Sequence, residues 1–402
     1  MGYVPKYASR KGEKPRFAVL GSIVAVLSAA VTLVLLWQMS CYVGKPVTAG
    51  QTNLPGTALM ERFDAFVGEE VAAIRGRLTP SAQPEETEAA EIIRKHYWIE
   101  DGTLVAPEPN PACYGQTEDP STLQWLLDEA AWLLDGQELY FSLDVELFRD
   151  SVVNYYLDDS IFAITWKEVH DGSVYTFSEI KVADPSQFRR HLAGGEYGSA
   201  VQYYTTEMAQ SVNAVVASAG DFYRFRQFGV IVYDGVVRRV DGTYAETCYI
   251  DGNGDMHFTY GGDLTTMEDA QAFVEENDIQ FSIAFGPVLV DDYEIIQHTQ
   301  YGVGEINEGY ARAALCQMGQ LHYIVAAANT QGPYQEIPTV AMFRENIAAT
   351  GCRMAYCLDG GQTATIVMND ELINRPVYGQ QRKISDILYF ATAVPEGEWN
   401  NG

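Results

Sequence analysis

The chain has 402 residues and a net charge of −28. Such a surface repels nucleic acid and anionic bilayer faces, so neither is an expected partner. A hydrophobic content of 47% supplies a real core and excludes a disordered chain, and the length fits two domains or one domain with a long arm.

Five of the 26 basic residues (Lys6, Arg10, Lys11, Lys14 and Arg16) precede an uncharged run at 17–37. That run is long enough to cross the ~30 Å hydrocarbon layer as a helix. The basic flank keeps residues 1–16 in the cytoplasm and puts the rest of the chain outside the cell. The expectation is a single-pass signal anchor over 17–39; a cleaved signal peptide is the alternative. Residues 40–56 are rich in Gly, Pro, Thr and Asn. Apolar stripes then predict helices at 57–77 and 85–97, either a stalk or a cover on the main domain. The expected organisation is a tail at 1–16, the anchor at 17–39, a stalk and helical region at 40–137 and a main domain at 138–395.

A helix is predicted at 121–134 with Ser121 as its cap. From residue 139 the period changes to two. Strands are predicted at 152–157, 161–169 and 174–182, then a short helix at 185–191 and another from 205 capped by Thr205. A buried strand at 213–218 ends in Ala219-Gly220-Asp221-Phe222-Tyr223, with Arg224 and Arg226 following. Hairpins are predicted around Asp234-Gly235 and around residues 251–255. The latter resembles a calcium loop only superficially, because Met256 stands where that loop needs glycine and no bidentate Glu closes it. A helix at 265–276, strands at 279–285 and 288–290, and a hairpin of 310–317 with 321–327 follow. Arg312 lies in an apolar strand of that hairpin, where it either completes a structural ion pair or binds an anion.

A helix at 337–349 leads into an apolar strand at 354–358 and then Asp359-Gly360-Gly361-Gln362-Thr363. The two glycines permit positive φ and close approach of a ligand to bare backbone. A hairpin turn is the simpler reading of Asp-Gly-Gly between two apolar runs. A last strand is predicted at 387–391. The fold class is α+β, with mixed, largely antiparallel sheets and flanking helices, preceded by the transmembrane helix and helical stalk. The six cysteines (Cys41, Cys113, Cys248, Cys316, Cys352 and Cys357) show no disulfide-scaffold or zinc spacing, and the six histidines stand apart, so no cofactor is indicated, with a divalent cation left open.

Asp221 and Asp359 are both acids just past buried strands, each beside glycine. A carboxylate pair suits glycoside chemistry, and arginines suit a phosphate. The order Thr205-Thr206-Glu207-Met208-Ala209, Ala219-Gly220-Asp221-Phe222-Tyr223, Asp234-Gly235-Val236, Phe285-Gly286-Pro287, Ala311-Arg312-Ala313, Leu358-Asp359-Gly360-Gly361 and Arg382 with Ser385-Asp386 resembles the phosphodiester glycosidase family over about 174–393. The chain departs from the family pattern at Ala219, where the family usually has Asn, and at Gln362-Thr363-Ala364.

The resemblance implies hydrolysis of the glycosidic bond of a sugar-1-phosphodiester in cell-surface polysaccharide. It implies Asp359 and Asp221 as catalytic carboxylates and Arg312 and Arg382 as phosphate-binding groups. Gly220, Tyr223, Gly360, Gly361, Gln362 and Thr363 would contact substrate. The expected partner is thus a carbohydrate phosphodiester. The alternative is a non-catalytic protein that binds glycan or assembles exopolysaccharide.

Overall fold

A computed structural model describes residues 106–148, 151–242, 245–301 and 306–395. The expected anchor at 17–37 and the helices at 57–77 and 85–97 lie outside the described residues. Among the described residues no helix is long and apolar enough to cross a membrane.

Strand β1 (Tyr114–Thr117) precedes helix α1 (Pro120–Leu134). The Asp119 carboxylate accepts the N–H groups of Ser121 and Thr122, so Asp119 rather than Ser121 is the cap. Pro120 decides this: it starts the helix with its preset φ and has no N–H to satisfy. Strands β2 (Val153–Leu157), β3 (Ile161–His170) and β4 (Ser173–Val182) follow as two hairpins.

The helix expected at 185–191 is a correction. Only Pro185–Gln187 turn, as a 3-10 helix, and β5 (Phe188–Leu192) is a strand. Phe188, Arg190 and Leu192 are buried while Arg189 and His191 are half-buried, a period of two. Pairing with a strand near the C-terminus overrides the local helical pattern. Helix α2 (Thr205–Ser211) has Tyr204, not Thr205, at its cap position, because the Thr205 hydroxyl is taken by Thr365 at 2.8 Å.

There follow β6 (Ala214–Ala219), β7 (Gly229–Tyr233), β8 (Val236–Asp241), β9 (Thr247–Asp251), β10 (Met256–Thr259), α3 (Met267–Glu276), β11 (Ile279–Ile283), β12 (Val288–Asp291) and β13 (Glu294–Ile295). The Asp251 carboxylate accepts the Asn253 and Asp255 N–H groups, each at 2.8 Å, as in a side-chain-capped hairpin turn. The chain continues through β14 (Arg312–Gly319), β15 (His322–Asn329), α4 (Val340–Ala348), β16 (Met354–Leu358), β17 (Ile366–Met368), β18 (Glu371–Leu372) and β19 (Asp386–Ala391).

Three sheets result, and every pairing of their strands is antiparallel. The largest runs β1-β2-β3-β4-β15-β14-β16-β12-β13, a second β10-β9-β11-β7-β8 and a third β18-β17-β6-β19-β5. The fold is sheet-rich α+β, and its largest sheet takes in β1, N-terminal to residue 138. β16 and β17 lie in different sheets, so Asp359-Gly360-Gly361 is not the turn of a hairpin but a crossing between layers.

One face of the large sheet packs on α1 and α4 through Leu126, Trp166, Tyr175, Phe343 and Cys357. The other face packs on both smaller sheets through Tyr156, Phe188, Val216, Ile250, Tyr323 and Leu388. Phe188 is where all three sheets touch. Its ring stacks on Phe390 of β19 at 4.5 Å and meets Tyr323 of β15 at 4.9 Å and Phe281 of β11 at 5.4 Å. Truncation there removes apolar area and leaves a void that no single sheet can close. Phe188→Ala is expected to lower unfolding free energy by about 3–5 kcal/mol, read as a lower urea midpoint at unchanged slope.

Candidate active site

The site forms where three strands end. β6 and β19 are paired, with Ala219 opposite Ile387. β16 reaches them from the large sheet, and the Asp359 N–H donates to the Gly220 carbonyl at 3.3 Å. Glycines make these approaches possible. A Cβ on Gly220 would sit 2.4 Å from Asp386 Oδ2, and one on Gly360 would sit 2.5 Å from the Ala311 carbonyl oxygen. Gly361 has φ +66 and donates its N–H to that same carbonyl at 2.7 Å.

Beneath the site lies a buried ion network. Arg190 Nε donates to Asp386 Oδ2 at 2.8 Å, and Arg190 Nη2 stands 3.6 Å from Asp221 Oδ2. Arg190 Nη1 donates to the Ser282 carbonyl in the second sheet. Both Asp386 oxygens accept the Asp221 N–H, at 3.2 and 3.0 Å. Burial pushes the Asp386 carboxyl upward; Arg190 pulls it back and Asp221 adds to the rise. The Asp221 oxygens accept the Phe222 N–H at 2.6 Å and the Ala284 N–H at 2.7 Å. Asp221 is therefore clamped by backbone from two sheets.

Asp359 is held differently. Arg382 Nη2 donates to its Oδ2 at 2.7 Å. Burial pushes its pKa up to about 6, while Arg382, the Thr363 hydroxyl and Arg226 pull it down and Asp221 pushes it further up. The two arginines are seated on aromatic faces. Arg382 lies 4.9 Å from the Phe222 ring centre, and Arg226 lies 5.6 Å from Phe222 and 4.6 Å from Phe285. Asp359, Asp221, Phe222, Phe225, Arg382 and Lys383 line one crevice. It holds about 150 Å³ of empty space and is too narrow for a water molecule at any point.

Asp221, Asp359 and Arg382 thus come together, with Gly220, Gly360 and Gly361 shaping the backbone beside them. Thr363 supports Asp359, and the Gln362 carbonyl accepts the Arg382 N–H at 3.4 Å. Arg312 and Tyr223 do not line the crevice. Arg312 is buried, donates to the Glu308 carbonyl at 2.8 Å and lies over the Tyr310 ring, without lining the crevice. In register it stands one position on from the Ala313–Leu358 pair, next to Asp359 across the β14–β16 pairing. Tyr223 is buried, stacked on Tyr197 and covered by Arg190, so its ring is core.

Sequence reasoning missed the roles of Arg190, Arg226, Phe222 and Lys383. Arg190 alone carried a signal, a charge at the inward position of an alternating strand, and the helical assignment of 185–191 hid it. This polar crevice offers a carboxylate whose pKa is raised to about 6 by burial, beside two cationic side chains, Arg382 and Lys383.

A family model for phosphodiester glycosidase matches residues 212–391. Among solved structures, the catalytic domain of zebrafish N-acetylglucosamine-1-phosphodiester alpha-N-acetylglucosaminidase, auto-inhibited by its pro-peptide, is similar at 19% identity with a TM-score of 0.46, covering 65% of this chain and 92% of that one. A hypothetical protein from Synechocystis is similar at 13% identity with a TM-score of 0.43, covering 62% of this chain and 65% of that one. No curated protein sequence matches the chain.

The raised Asp359 pKa has a consequence for stability. A carboxyl whose folded pKa exceeds its unfolded value favours folding below the unfolded pKa and loses that contribution as pH rises through the folded one. Ionised Asp359 therefore opposes folding above about pH 6. Asp359→Asn should be more stable than the parent at pH 8, by up to about 3 kcal/mol from the size of the shift. The advantage should shrink toward pH 4, as read by thermal melts across that range.

Proposed function

Residues 212–391 match the phosphodiester glycosidase family, and from that premise we propose that the protein hydrolyses the glycosidic bond of sugar-1-phosphodiesters in cell-surface polysaccharide. The observation that carries the proposal is Asp359: a buried carboxyl with a pKa of about 6, ion-paired to Arg382 in a crevice.

Water adds at the anomeric carbon, the bond from that carbon to the phosphate oxygen breaks, and the products are a free sugar and a phosphomonoester. Asp359 serves as the base for water or as the nucleophile. The leaving phosphate is a weak base, so it departs without a strong general acid. With Arg382 paired to Asp359 the crevice admits no water, so Arg382, 42% exposed at its side chain, has to leave Asp359 and meet the phosphate as substrate enters. Once there it offsets charge growing on the leaving oxygen, with Lys383 as a second cation on the same wall. Asp221, with both oxygens on backbone N–H groups, acts as the electrostatic and positional partner and transfers no proton. The buried Arg312 holds the Glu308 carbonyl and the strand end next to Asp359.

The uncharged run at 17–37 and its basic flank support a membrane-anchored protein with its catalytic domain outside the cell. A non-catalytic glycan-binding protein is the second reading. It is favoured by Ala219, whose methyl is buried where the family usually has an amide.

Full-length protein assayed on 4-nitrophenyl phosphodiesters of sugar 1-phosphates should turn over with an acidic limb in kcat/KM near pH 6. Asp359→Asn should cut kcat by about 10²–10⁴-fold, and Arg382→Ala should raise KM as well as lower kcat. Equal turnover by parent and Asp359→Asn rejects the mechanism; saturable binding of the diesters without turnover selects the second reading.

A further inference from the structure

A second polar opening, a cavity of about 340 Å³, lies between the large sheet and the β17–β18 hairpin. It shares no lining residue with the Asp359 crevice. Strand register builds it. Gln116 on β1 stands opposite Asn154 on β2, and Asn154 stands opposite Thr165 on β3. Lys167 is two residues past Thr165 and so projects from the same face. Gln331 comes from the turn after β15, and Glu371 opens β18.

None of these five lining side chains (Gln116, Asn154, Lys167, Gln331 and Glu371) has a hydrogen bond or ion pair among the described residues. Asn154 is only 9% exposed. Gln116 and Glu371 are exposed and Lys167 and Gln331 half-buried, so these groups face the cavity with their hydrogen-bonding capacity uncommitted within the protein and open to a polar ligand. Burial also pushes the Lys167 pKa down, as expected of an ammonium with no counter-charge. The amides of Gln116, Asn154 and Gln331 each offer donors and an acceptor, which matches sugar hydroxyls. Phe148 and Leu372 supply an apolar wall. The volume is at the low end of the ~300–1,000 Å³ range of small-molecule pockets, the scale of one sugar unit and not of a chain.

We propose that this cavity binds a single anionic saccharide unit, with Lys167 on its carboxylate or phosphate and Asn154, Gln116 and Gln331 on its hydroxyls. Exposed Glu371 accepts from a further hydroxyl. The proposal does not rest on the hydrolase reading, because no group assigned to bond cleavage takes part.

The test is calorimetric titration of the full-length protein with glucuronic acid, glucose 6-phosphate, glucose and inorganic phosphate. Saturable binding of either acidic sugar is expected, and which one binds identifies the anion. Lys167→Met should weaken that binding at least tenfold and Gln331→Ala severalfold, whereas Asp359→Asn should retain it, which separates this site from the crevice. The proposal is overturned if neither acidic sugar binds more tightly than about 10 mM. It is equally overturned if glucose binds as tightly as glucuronic acid, if inorganic phosphate binds as tightly as glucose 6-phosphate, or if affinity ignores both Lys167→Met and Gln331→Ala. Gln331 lies in a turn, so its variant tests the site even if Lys167→Met fails to fold.

Discussion

The constraint on which the site depends is the guanidinium of Arg190, sealed among three strand ends. It bonds Asp386 on β19, faces Asp221 just past β6, and donates to Ser282 on β11. Two sheets are thereby locked at one corner by a charge with no access to water. A buried ion pair gives little net stability against an apolar substitute, yet removing one partner strands the other charge at a cost of about 3–5 kcal/mol. Such a network is a device for position: it fixes where Asp221 points and leaves no choice of register for β5 against β19.

Asp359 approaches this fixed corner from the large sheet through its bond to the Gly220 carbonyl. The contrast between the two acids follows from their partners. Asp221 spends both oxygens on backbone N–H groups, which hold it still. Asp359 has a partly exposed arginine as its main partner and a burial penalty that the arginine does not cancel. A carboxyl so placed is costly to ionise and ready to change protonation or partner, the usual condition of a reacting group. The same layering opens the Lys167 cavity at the far strands of the large sheet, where unpaired amides collect instead of ion pairs. Two polar openings of opposite character are thus built on one scaffold.

What the sequence by itself determined was local. Alternation located β2, β3, β4, β14 and β15, because burial of one or both faces of a strand is written in successive residues. Glycine beside an acid at the end of an apolar run marked both Asp221 and Asp359, because the backbone there has no room for a Cβ. The order of short motifs carried the family likeness. Asp119 and Ser121 show the limit of local rules: either could cap α1, and the proline between them decided the matter.

Tertiary structure alone decided the rest, for the reason that charges choose partners through space. Arg190 and Asp386 are 196 positions apart, and no periodicity connects them. β5 reads as a helix until β19 pairs with it. Asp-Gly-Gly reads as a hairpin until β16 and β17 are assigned to different sheets. Arg312 and Arg382 looked equivalent as residues, but Arg312 is buried next to Asp359 across the β14–β16 pairing while Arg382 is 42% exposed on the crevice wall, a difference that only the assembled strands decide.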